Sequence, residues 1–513
     1  MRLLHALAVP AAALVAPVAA AAPADAPAAV SAPDAPAQAT NLPTPPDERK
    51  NPSPAAPIAD AYPAEGGGDG VTAGGYNQSR WAEDWTKLRD PKKRVDPLDR
   101  LKFIPFDASG DSYFTLSGEL RLRVNHTTNP NLRESDAQRQ DIVRAVVGGD
   151  LHVGDHFRAY GEIAHGGLSG VQLGTPAATL RNDLVFQQHF IDATAEIGGA
   201  DVGVRYGRQT FADGPNLMVV PRDNNTIFFT FNGWRGWARG RTVRVDVFDY
   251  HPTRLGQGGV GDDISEDARR FSGISGGVVL PKGMFGGSKL YLDPFVWRLR
   301  NDAAVWGATT ARERREFYGL HLYGEAGPVT LDWTLNTQRG DYDGRRIEAW
   351  QLFAAQTYRL GKDRAAPRIG VHVDYASGGG AYGKGKLRTA LAPFGNNIYY
   401  SYQLFATPTN LIAAAPNITF APLKTVRATL EYQFSWRDSQ TDAVYRANGA
   451  AFAGTQNVRG GKIAETARAQ IVWTISPRVS FTGRYEHLNA GPALTRAGYR
   501  NSDFLAGWIS FRF

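Results

Sequence analysis

The stretch Asp503 to Phe513 reads DFLAGWISFRF, and large apolar residues alternate in it with small or polar ones. Successive side chains of a β-strand point to opposite sides, so every second residue shares a face. One face of this stretch is apolar and carries Leu505, Ile509, Phe511 and Phe513. The alternation predicts a β-strand with one apolar face at the end of the sequence.

The same alternation recurs from Tyr113 onward, in runs that Gly, Asn, Asp and Pro clusters separate. In Tyr113–Val124 one face carries leucines and the other carries Glu119, Arg121 and Arg123. In Val426–Arg437 aromatic and aliphatic residues again oppose charged and polar ones. Roughly eighteen such segments can be delimited, and bacterial barrels made from one chain favour even strand numbers.

Strand length separates two architectures that both alternate. A soluble β-sandwich turns its apolar face inward, so alternation alone also fits that fold. The segments here reach about ten residues or more, the length that crosses the membrane hydrocarbon at a tilt of about 45°. The strand that ends on Phe513 is also typical of the terminal strand that the outer-membrane barrel assembly machinery reads. We therefore predict an all-β fold, a transmembrane antiparallel β-barrel of about 18 strands.

Aromatic residues near predicted strand ends support the same fold. An interfacial girdle of Trp and Tyr borders the apolar band of a membrane barrel. The sequence predicts such positions at Tyr399, Tyr400, Tyr402, Trp234 and Trp237.

The N-terminal part divides into three segments. Arg2, the apolar stretch Leu3 to Val18 and the small residues that follow predict a Sec signal peptide over residues 1–22. Residues 23–75 are rich in Ala, Pro and Gly, which predicts a disordered linker. Residues 76–110 include Trp81 to Pro105, whose Trp and Pro residues predict a short ordered periplasmic segment. Residues 111–513 form the predicted barrel, which places the protein in the outer membrane of a Gram-negative bacterium.

Composition excludes several classes of function. The 513 residues contain no Cys, which excludes disulfides, thiolate metal sites and a catalytic Cys. The net charge is +7 and the isoelectric point 9.4, but Lys and Arg are spread along the chain, so no nucleic acid partner is predicted. We predict no cofactor and no metal.

Two motifs resemble catalytic or phosphate sites by spacing alone. Gly273–Gly277 matches G-x-S-x-G, but strand sequence continues through Val278 where a nucleophile elbow needs a helix. Gly378–Gly385 resembles a phosphate loop but lacks the Ser or Thr that holds magnesium. The His residues show no spacing that implies a shared site. The sequence therefore predicts a protein that is not an enzyme.

Arginine recurs on the polar face of the predicted strands. On a barrel with its apolar face toward lipid, these residues and the fewer acids beside them face the lumen. The predicted pore-lining residues are Glu119, Arg121, Arg123, Arg158, Glu162, Arg205, Arg244, Asp246, Arg368, Arg427, Glu431, Arg437, Arg468 and Arg484. Some of the arginines are expected to pair with carboxylates and rigidify the wall. The excess of arginine favours an anionic solute, because guanidinium stays charged and binds carboxylates in a bidentate manner.

Three motifs resemble the alginate export family of outer-membrane barrels, over about Trp81 to Phe513. They are Glu83-Asp84-Trp85 through Asp96-Pro97-Leu98-Asp99-Arg100-Leu101 to Pro105, then Leu116-Ser117-Gly118-Glu119-Leu120-Arg121, and Val204-Arg205-Tyr206-Gly207-Arg208-Gln209 through Asp213-Gly214 to Phe231-Asn232-Gly233. The resemblance implies an eighteen-stranded barrel with an arginine-rich constriction that passes a uronic-acid polysaccharide outward. Strict alternation turns Arg205 into the lumen but not Arg208, unless a bulge or the strand's end intervenes.

Two transport functions remain open at this point. The leading prediction is a passive, anion-selective outer-membrane channel for an anionic, alginate-like polysaccharide or a sugar acid. The alternative is a nutrient-uptake porin for small organic anions. Outer-membrane lipid and lipopolysaccharide, the barrel assembly machinery and periplasmic export proteins are the expected partners. An outer-membrane hydrolase that uses Ser275 and a soluble sandwich enzyme are more distant alternatives.

Overall fold

The computed structural model describes residues 75–285, 288–363 and 365–513. Eighteen long strands in these residues form one sheet. Every strand pairs antiparallel with its neighbours in chain order. The last strand also pairs with the first, from Glu119 opposite Arg512 to Thr127 opposite Phe504, which closes the barrel. The predicted antiparallel barrel of about eighteen strands is confirmed.

The strands are long, as a tilted membrane crossing requires. The first nine are β1 (Tyr113–Thr127), β2 (Gln138–Val153), β3 (Phe157–Val171), β4 (Asn182–Ile197), β5 (Ala200–Gln209), β6 (Phe231–Arg239), β7 (Val243–Arg254), β8 (Arg269–Val279) and β9 (Lys289–Trp306). The other nine are β10 (Thr309–Ala326), β11 (Val329–Tyr342), β12 (Arg345–Arg359), β13 (Arg368–Ala376), β14 (Leu411–Leu423), β15 (Val426–Trp436), β16 (Lys462–Thr474), β17 (Val479–Ala490) and β18 (Ser502–Arg512). Two-residue strands at Ile104–Pro105 and Ile264–Ser265 extend the sheet at its rims.

Short helical turns occur outside the barrel wall. Four 3-10 turns precede it, at Arg80–Ala82, Thr86–Arg89, Pro91–Lys93 and Pro97–Leu101. Others are Pro130–Leu132, Lys282–Phe285, Asn397–Tyr399 and Thr455–Asn457, with one α-helical turn at Pro492–Thr495. No helix among the described residues is long and apolar enough to span a membrane. The predicted signal peptide (1–22) and the predicted linker (23–75), except for its last residue, lie outside the described residues.

The polarity of the wall is the reverse of that in a soluble protein. In β1, Leu120, Leu122 and Val124 are 44%, 49% and 45% exposed. The charged residues between them, among them Glu119 and Arg121, are buried. A surface with large apolar side chains on every strand marks contact with lipid.

The two ends of the barrel differ. At the end where β1 begins, tight turns such as residues 198–199 connect the strands. Gly198 and Gly199 have φ of +60° and +78°, and a two-residue hairpin turn of type I′ requires such positive values. At the other end lie the long connections 210–230, 377–410 and 437–461. Outer-membrane barrels have short periplasmic turns and longer extracellular loops, which orients this barrel.

Two of the long loops fold into the barrel. Met218 and Phe394 belong to an apolar cluster that packs against the inner faces of β7, β8 and β9, at Phe248, Phe271 and Trp297. The inner wall of strands β7 to β9 is therefore apolar in the half toward the long loops, unlike the polar lumen that the sequence predicts, whereas Arg244, Asp246 and Asp293 occupy its other half.

The predicted aromatic girdle is wrong for four of its five positions. Tyr399, Tyr400 and Tyr402 lie in the inward-folded loop 377–410 instead of a strand end, and Tyr400 and Tyr402 are buried. Trp237 is also buried, whereas Trp234 is 40% exposed on the outer face. Clusters of aromatic residues in sequence mark both girdles and buried loops, so local composition does not separate the two.

Candidate functional site

The predicted pore-lining residues share the inner parity of their strands. Ten of them are buried: Glu119, Arg121, Arg123, Glu162, Arg205, Asp246, Glu431, Arg437, Arg468 and Arg484. Four are partly buried: Arg158, Arg244, Arg368 and Arg427. The inward loops and the segment before β1 cover many of these side chains.

A charge cluster occupies the inner wall of β1 and β2. The register places Arg121 directly opposite Arg144, an arrangement that is unfavourable for like charges alone. Asp223 of loop 210–230 lies between them, with oxygens 3.0 Å from Arg121 and 2.8 Å from Arg144. Glu119 accepts from the Arg121 guanidinium at 3.0 Å. Asp223 therefore bridges the two arginines and fixes the loop to the wall, while Glu119 also lies 3.3 Å from Arg80 and 4.0 Å from Arg512.

A second pair of arginines has amide partners. Arg123 donates to the backbone oxygen of Asn224 at 3.0 Å and to its Oδ1 at 3.1 Å, and to Asn125. Arg484 donates to the same Asn224 Oδ1 at 2.9 Å. Both guanidinium carbons lie 4.9 Å from the ring centroid of Trp508. Among the described residues, no carboxylate lies within ion-pair distance of Arg123, so that charge is solvated by amides and an aromatic face alone.

Several other predicted residues are engaged in the wall itself. Arg205 forms a bidentate pair with Asp192, at 2.7 Å for each contact. Its guanidinium lies between two rings, 4.1 Å from Trp81 and 3.8 Å from Phe190. Arg437 donates to loop carbonyls, including that of Gly460 at 2.9 Å. Arg205 and Arg437 therefore stabilise the barrel wall and loop 437–461. The sequence predicted a structural role of this kind for some of the arginines.

The remaining predicted residues divide in the same way. Arg158 donates to Asp150, and Arg468 donates to Glu431. Arg244 lies 3.0 Å from Asp246 and 2.9 Å from Asp293. Arg368 lies 3.6 Å from Glu325. Arg427 has no hydrogen-bond or ion-pair partner among the described residues and is only partly buried.

The segment before β1 enters the periplasmic mouth. Arg80 pairs with Glu162 at 2.7 Å and with Glu119 at 3.3 Å, so it reaches the charge cluster. The indole of Trp81 donates to the Thr210 hydroxyl at 3.1 Å. Lys102 donates to the Ser117 hydroxyl at 2.6 Å, and burial lowers the pKa of this ammonium group although Glu83 lies 3.2 Å away.

Asp96 anchors the same segment to the rim. The backbone N–H of Leu98 donates to its carboxylate at 2.8 Å, and Arg478 of the β16–β17 turn lies 3.0 Å away. The Leu98 hydrogen bond, together with Arg478, lowers the pKa of Asp96. The segment is thus attached both at the rim and inside the barrel.

Sequence reasoning missed several residues of the site. Arg80, Asp223 and Asn224 lie outside strands, where no alternation indicates a direction. Arg144 lies on the inner parity of β2, but Ile142 and Val146 share that parity and obscure the pattern. The even spacing of Arg144 from the polar residues Gln140 and Asp150 was the available signal.

Arg208 is buried, although strict alternation turns it outward. Gly207 before it has φ of +135°, which breaks the alternation near the end of β5. Arg208 then donates to the Asn232 side chain at 2.9 Å and to the backbone oxygen of Asp263 at 2.9 Å. The end of β5 is therefore irregular, which is the exception to strict alternation that the sequence left open. The irregularity brings Arg208 into contact with the loop that contains Asp263.

The G-x-S-x-G motif lies within strand β8, so Ser275 has strand on both sides instead of the strand-to-helix turn of a nucleophile elbow. Ser275 donates to Asp213, which also accepts from the Trp297 indole at 3.0 Å. Among the described residues, no group of three or more His, Asp or Glu side chains could hold a metal ion.

Comparison with known proteins identifies the fold and a family. The family described as Alginate export matches residues 112–507. A crystal structure of Pseudomonas aeruginosa OccK2 (OpdF) in complex with glucuronate is similar, with a TM-score of 0.51 and 10% identity over 78% of this chain and 98% of that one. A BenF-like porin from Pseudomonas fluorescens Pf-5 has a TM-score of 0.51 and 11% identity, with the same coverage. P. aeruginosa OpdK with vanillate has a TM-score of 0.50 and 10% identity, again with the same coverage. No curated protein matches the chain.

Proposed function

Because the chain belongs to the alginate export family, we propose that it is an outer-membrane channel through which an anionic polysaccharide or sugar acid passes passively along arginines of the barrel interior. The single observation that carries this proposal is the pair Arg123 and Arg484, which share the neutral partner Asn224. A carboxylate can replace an amide as the acceptor of a guanidinium and gains a charge-assisted hydrogen bond. The pair is therefore the part of the lumen best suited to an anion in transit.

The other arginines support the same solute class by their position. Most are paired with acids, so they shape the wall and add little net field. Arg427 and Arg123 are predicted pore-lining arginines with no carboxylate within ion-pair distance among the described residues, and they lie four strands apart around the closed barrel, in β15 and β1. An anion would thus meet more than one uncompensated positive charge.

Inward-folded elements occupy part of the proposed channel. Arg80 and Trp81 occupy the mouth near β1 to β5, and loops 210–230 and 377–410 pack inside the wall. We assign residues 76–110 to the periplasmic side as a segment that restricts that mouth, held by the ion pairs of Arg80 and by the packing of Trp81 against Tyr160 and Phe190.

A porin for small organic anions remains the second candidate. The glucuronate of OccK2 and the vanillate of OpdK are both carboxylates, and a lumen as filled as this one suits a small solute. Neither candidate needs an enzymatic step. The engagement of Ser275 in a wall contact with Asp213 supports a role without hydrolysis.

A blocking experiment tests the proposed solute class. Purified protein is reconstituted in planar bilayers, and oligomers of a uronic acid or uncharged oligosaccharides of equal length are added. Uronate oligomers are expected to block the current at lower concentration, because their carboxylates bind the arginines. Equal block by both would overturn the proposal.

A deletion strain separates the two candidates. Loss of polymer secretion without a growth defect favours the polysaccharide exporter. A growth defect on sugar acids or aromatic acids, with secretion unchanged, favours the uptake porin.

A further inference from the structure

The outward face of strands β8 to β12 changes character toward the extracellular end. One row across these strands is largely apolar and consists of Ile274, Val296, Tyr318, Thr337 and Trp350. The next row is Ser272, Arg298, Glu316, Arg339 and Glu348, in which positive and negative charges alternate. Arg298 and Glu316 lie 2.6 Å apart. The alternating charges of this second row attract each other across the strands.

The third row contains three like charges. The register places Arg270 directly opposite Arg300, and Arg300 directly opposite Arg314. All three side chains are exposed on the outer face, so three guanidinium groups stand side by side on adjacent strands. Strands lie about 4.8 Å apart, and like charges directly opposite each other are destabilising. We call these three residues the arginine ladder.

Nearby acids neutralise the arginine ladder only in part. Arg300 lies 2.8 Å from Asp302, but Arg312 shares that carboxylate at 3.2 Å. Arg270 pairs with Asp249 of β7. Arg314 lies directly opposite Asp341 of β11 but forms no ion pair with any residue in the described ranges. Four arginines, Arg270, Arg300, Arg312 and Arg314, therefore face three carboxylates, those of Asp249, Asp302 and Asp341, and the patch keeps a net positive charge.

The depth of the ladder restricts the ligand. Arg270 precedes Ile274 by four residues along β8, about 13 Å of strand, or roughly 9 Å along the membrane normal at a tilt of about 45°. The ladder thus lies just above the hydrocarbon, at the level of the lipid headgroups. It is on the extracellular side, the end that carries the long loops.

We propose that the arginine ladder binds lipopolysaccharide of the outer leaflet through the phosphate groups of its lipid A. Phosphate accepts two parallel hydrogen bonds from a guanidinium, and one phosphate between two ladder arginines removes their mutual repulsion. The apolar row below contacts the acyl chains. The site lies outside the lumen and does not depend on which solute the channel passes.

The test compares lipids and variants by native mass spectrometry of the full chain in detergent. The wild-type protein is titrated with bisphosphorylated lipid A and with the same lipid after removal of both phosphates. The bisphosphorylated form is expected to bind at least about tenfold more tightly. The variant Arg300→Gln/Arg314→Gln is expected to lose that preference, while heat-modifiable migration shows that its barrel is folded.

The matched control is Arg139→Gln/Arg500→Gln. These residues lie at the same end of the barrel and are as exposed, with side-chain exposures of 60% and 55%, and each has an acidic partner, but neither lies directly opposite another arginine. The control is expected to bind lipid A as the wild type does. Three outcomes overturn the proposal: equal wild-type affinity for the two lipids, an undiminished preference in the ladder variant, or an equal loss in the control. If the ladder variant does not fold, the proposal is tested by the wild-type affinities for the two lipids and by the lipid preference of Arg270→Gln.

Discussion

At the scale of single residues, the partner of each arginine decides what it can do. Arg205 and Asp192 make two short contacts and leave no charge for a solute. Arg123 is equally buried but rests on amides. Side chains of one type on one face of a barrel therefore divide into wall residues and candidate solute contacts.

Arg123→Gln tests the second group. The Gln side chain keeps a hydrogen-bond donor near Asn224 but removes the charge, so the anion-to-cation permeability ratio is expected to fall by ~2-fold or more with the barrel intact. Reversal potentials in a salt gradient measure the ratio. Arg139→Gln, on the outer face, is the control and is expected to change nothing; an unchanged ratio in Arg123→Gln would remove this residue from the proposed path.

Arg205→Ala tests the first group. The substitution leaves Asp192 buried, with Arg158 at 3.8 Å as its remaining cation, and is expected to destabilise the barrel by about 3 kcal/mol. Urea unfolding in detergent measures the loss. Arg205→Met/Asp192→Leu removes both charges and should recover most of it; a single variant as stable as the wild type would show that the pair contributes little.

The sequence predicts the direction of a strand residue but not its partner. Alternation placed Arg121 and Arg205 on the inner parity because a pleated strand has a period of two. Asp223 and Asn224, which determine the chemistry around Arg121 and Arg123, come from a loop about a hundred positions away in sequence, where no periodicity applies. Partners at that separation are set by the three-dimensional path of the loop.

At the scale of elements, the segment before β1 and the inward loops are the elements that we propose to control access. Arg80 is the contact that joins the segment to the charge cluster, since it reaches both Glu162 and Glu119. Trp81 adds an aromatic face to Arg205 and a hydrogen bond to loop 210–230. A segment held this way can close a mouth and still be released.

Arg80→Gln is expected to raise the open probability or conductance of the channel. The change removes two ion pairs from the segment, which weakens its attachment while leaving the barrel strands unchanged. Single-channel recording measures the effect. Lys93→Gln, an exposed residue of the same segment, is the control; a conductance of Arg80→Gln equal to that of the wild type would show that the segment does not limit passage.

The elements differ in how far the sequence predicted them. The strands were predictable because length, alternation and turn residues agree along the whole region. The inward course of loop 377–410 was not, because its tyrosines read as an interfacial girdle. A buried loop and a girdle use the same residue types, and only the closed barrel decides which surface they meet.

At the scale of the whole molecule, the barrel is polar inside and apolar outside over its membrane band. Leu430 lies at the middle of β15, opposite Ile418 and Ala469, and is 48% exposed. This arrangement is stable only with lipid or detergent around it. The inversion is the property that the alternation of DFLAGWISFRF first indicated.

Leu430→Arg tests the lipid contact. A charge at mid-strand on the lipid face is expected to cost ~2–4 kcal/mol of folding free energy, measured by urea unfolding into lipid vesicles. Leu423→Arg places the same side chain on the outside at the end of β14, where the cost is expected to be about 0–1 kcal/mol. Equal costs at the two positions would contradict the assigned membrane band.

The most direct measurement of the central claim is the ion selectivity of the purified full-length protein in planar bilayers under a potassium chloride gradient. The arginines of the interior predict a reversal potential whose sign corresponds to chloride passing more readily than potassium. The preference should weaken as ionic strength rises, because salt screens the lumen charges. A reversal potential of the opposite sign, with potassium preferred, would contradict an anion channel.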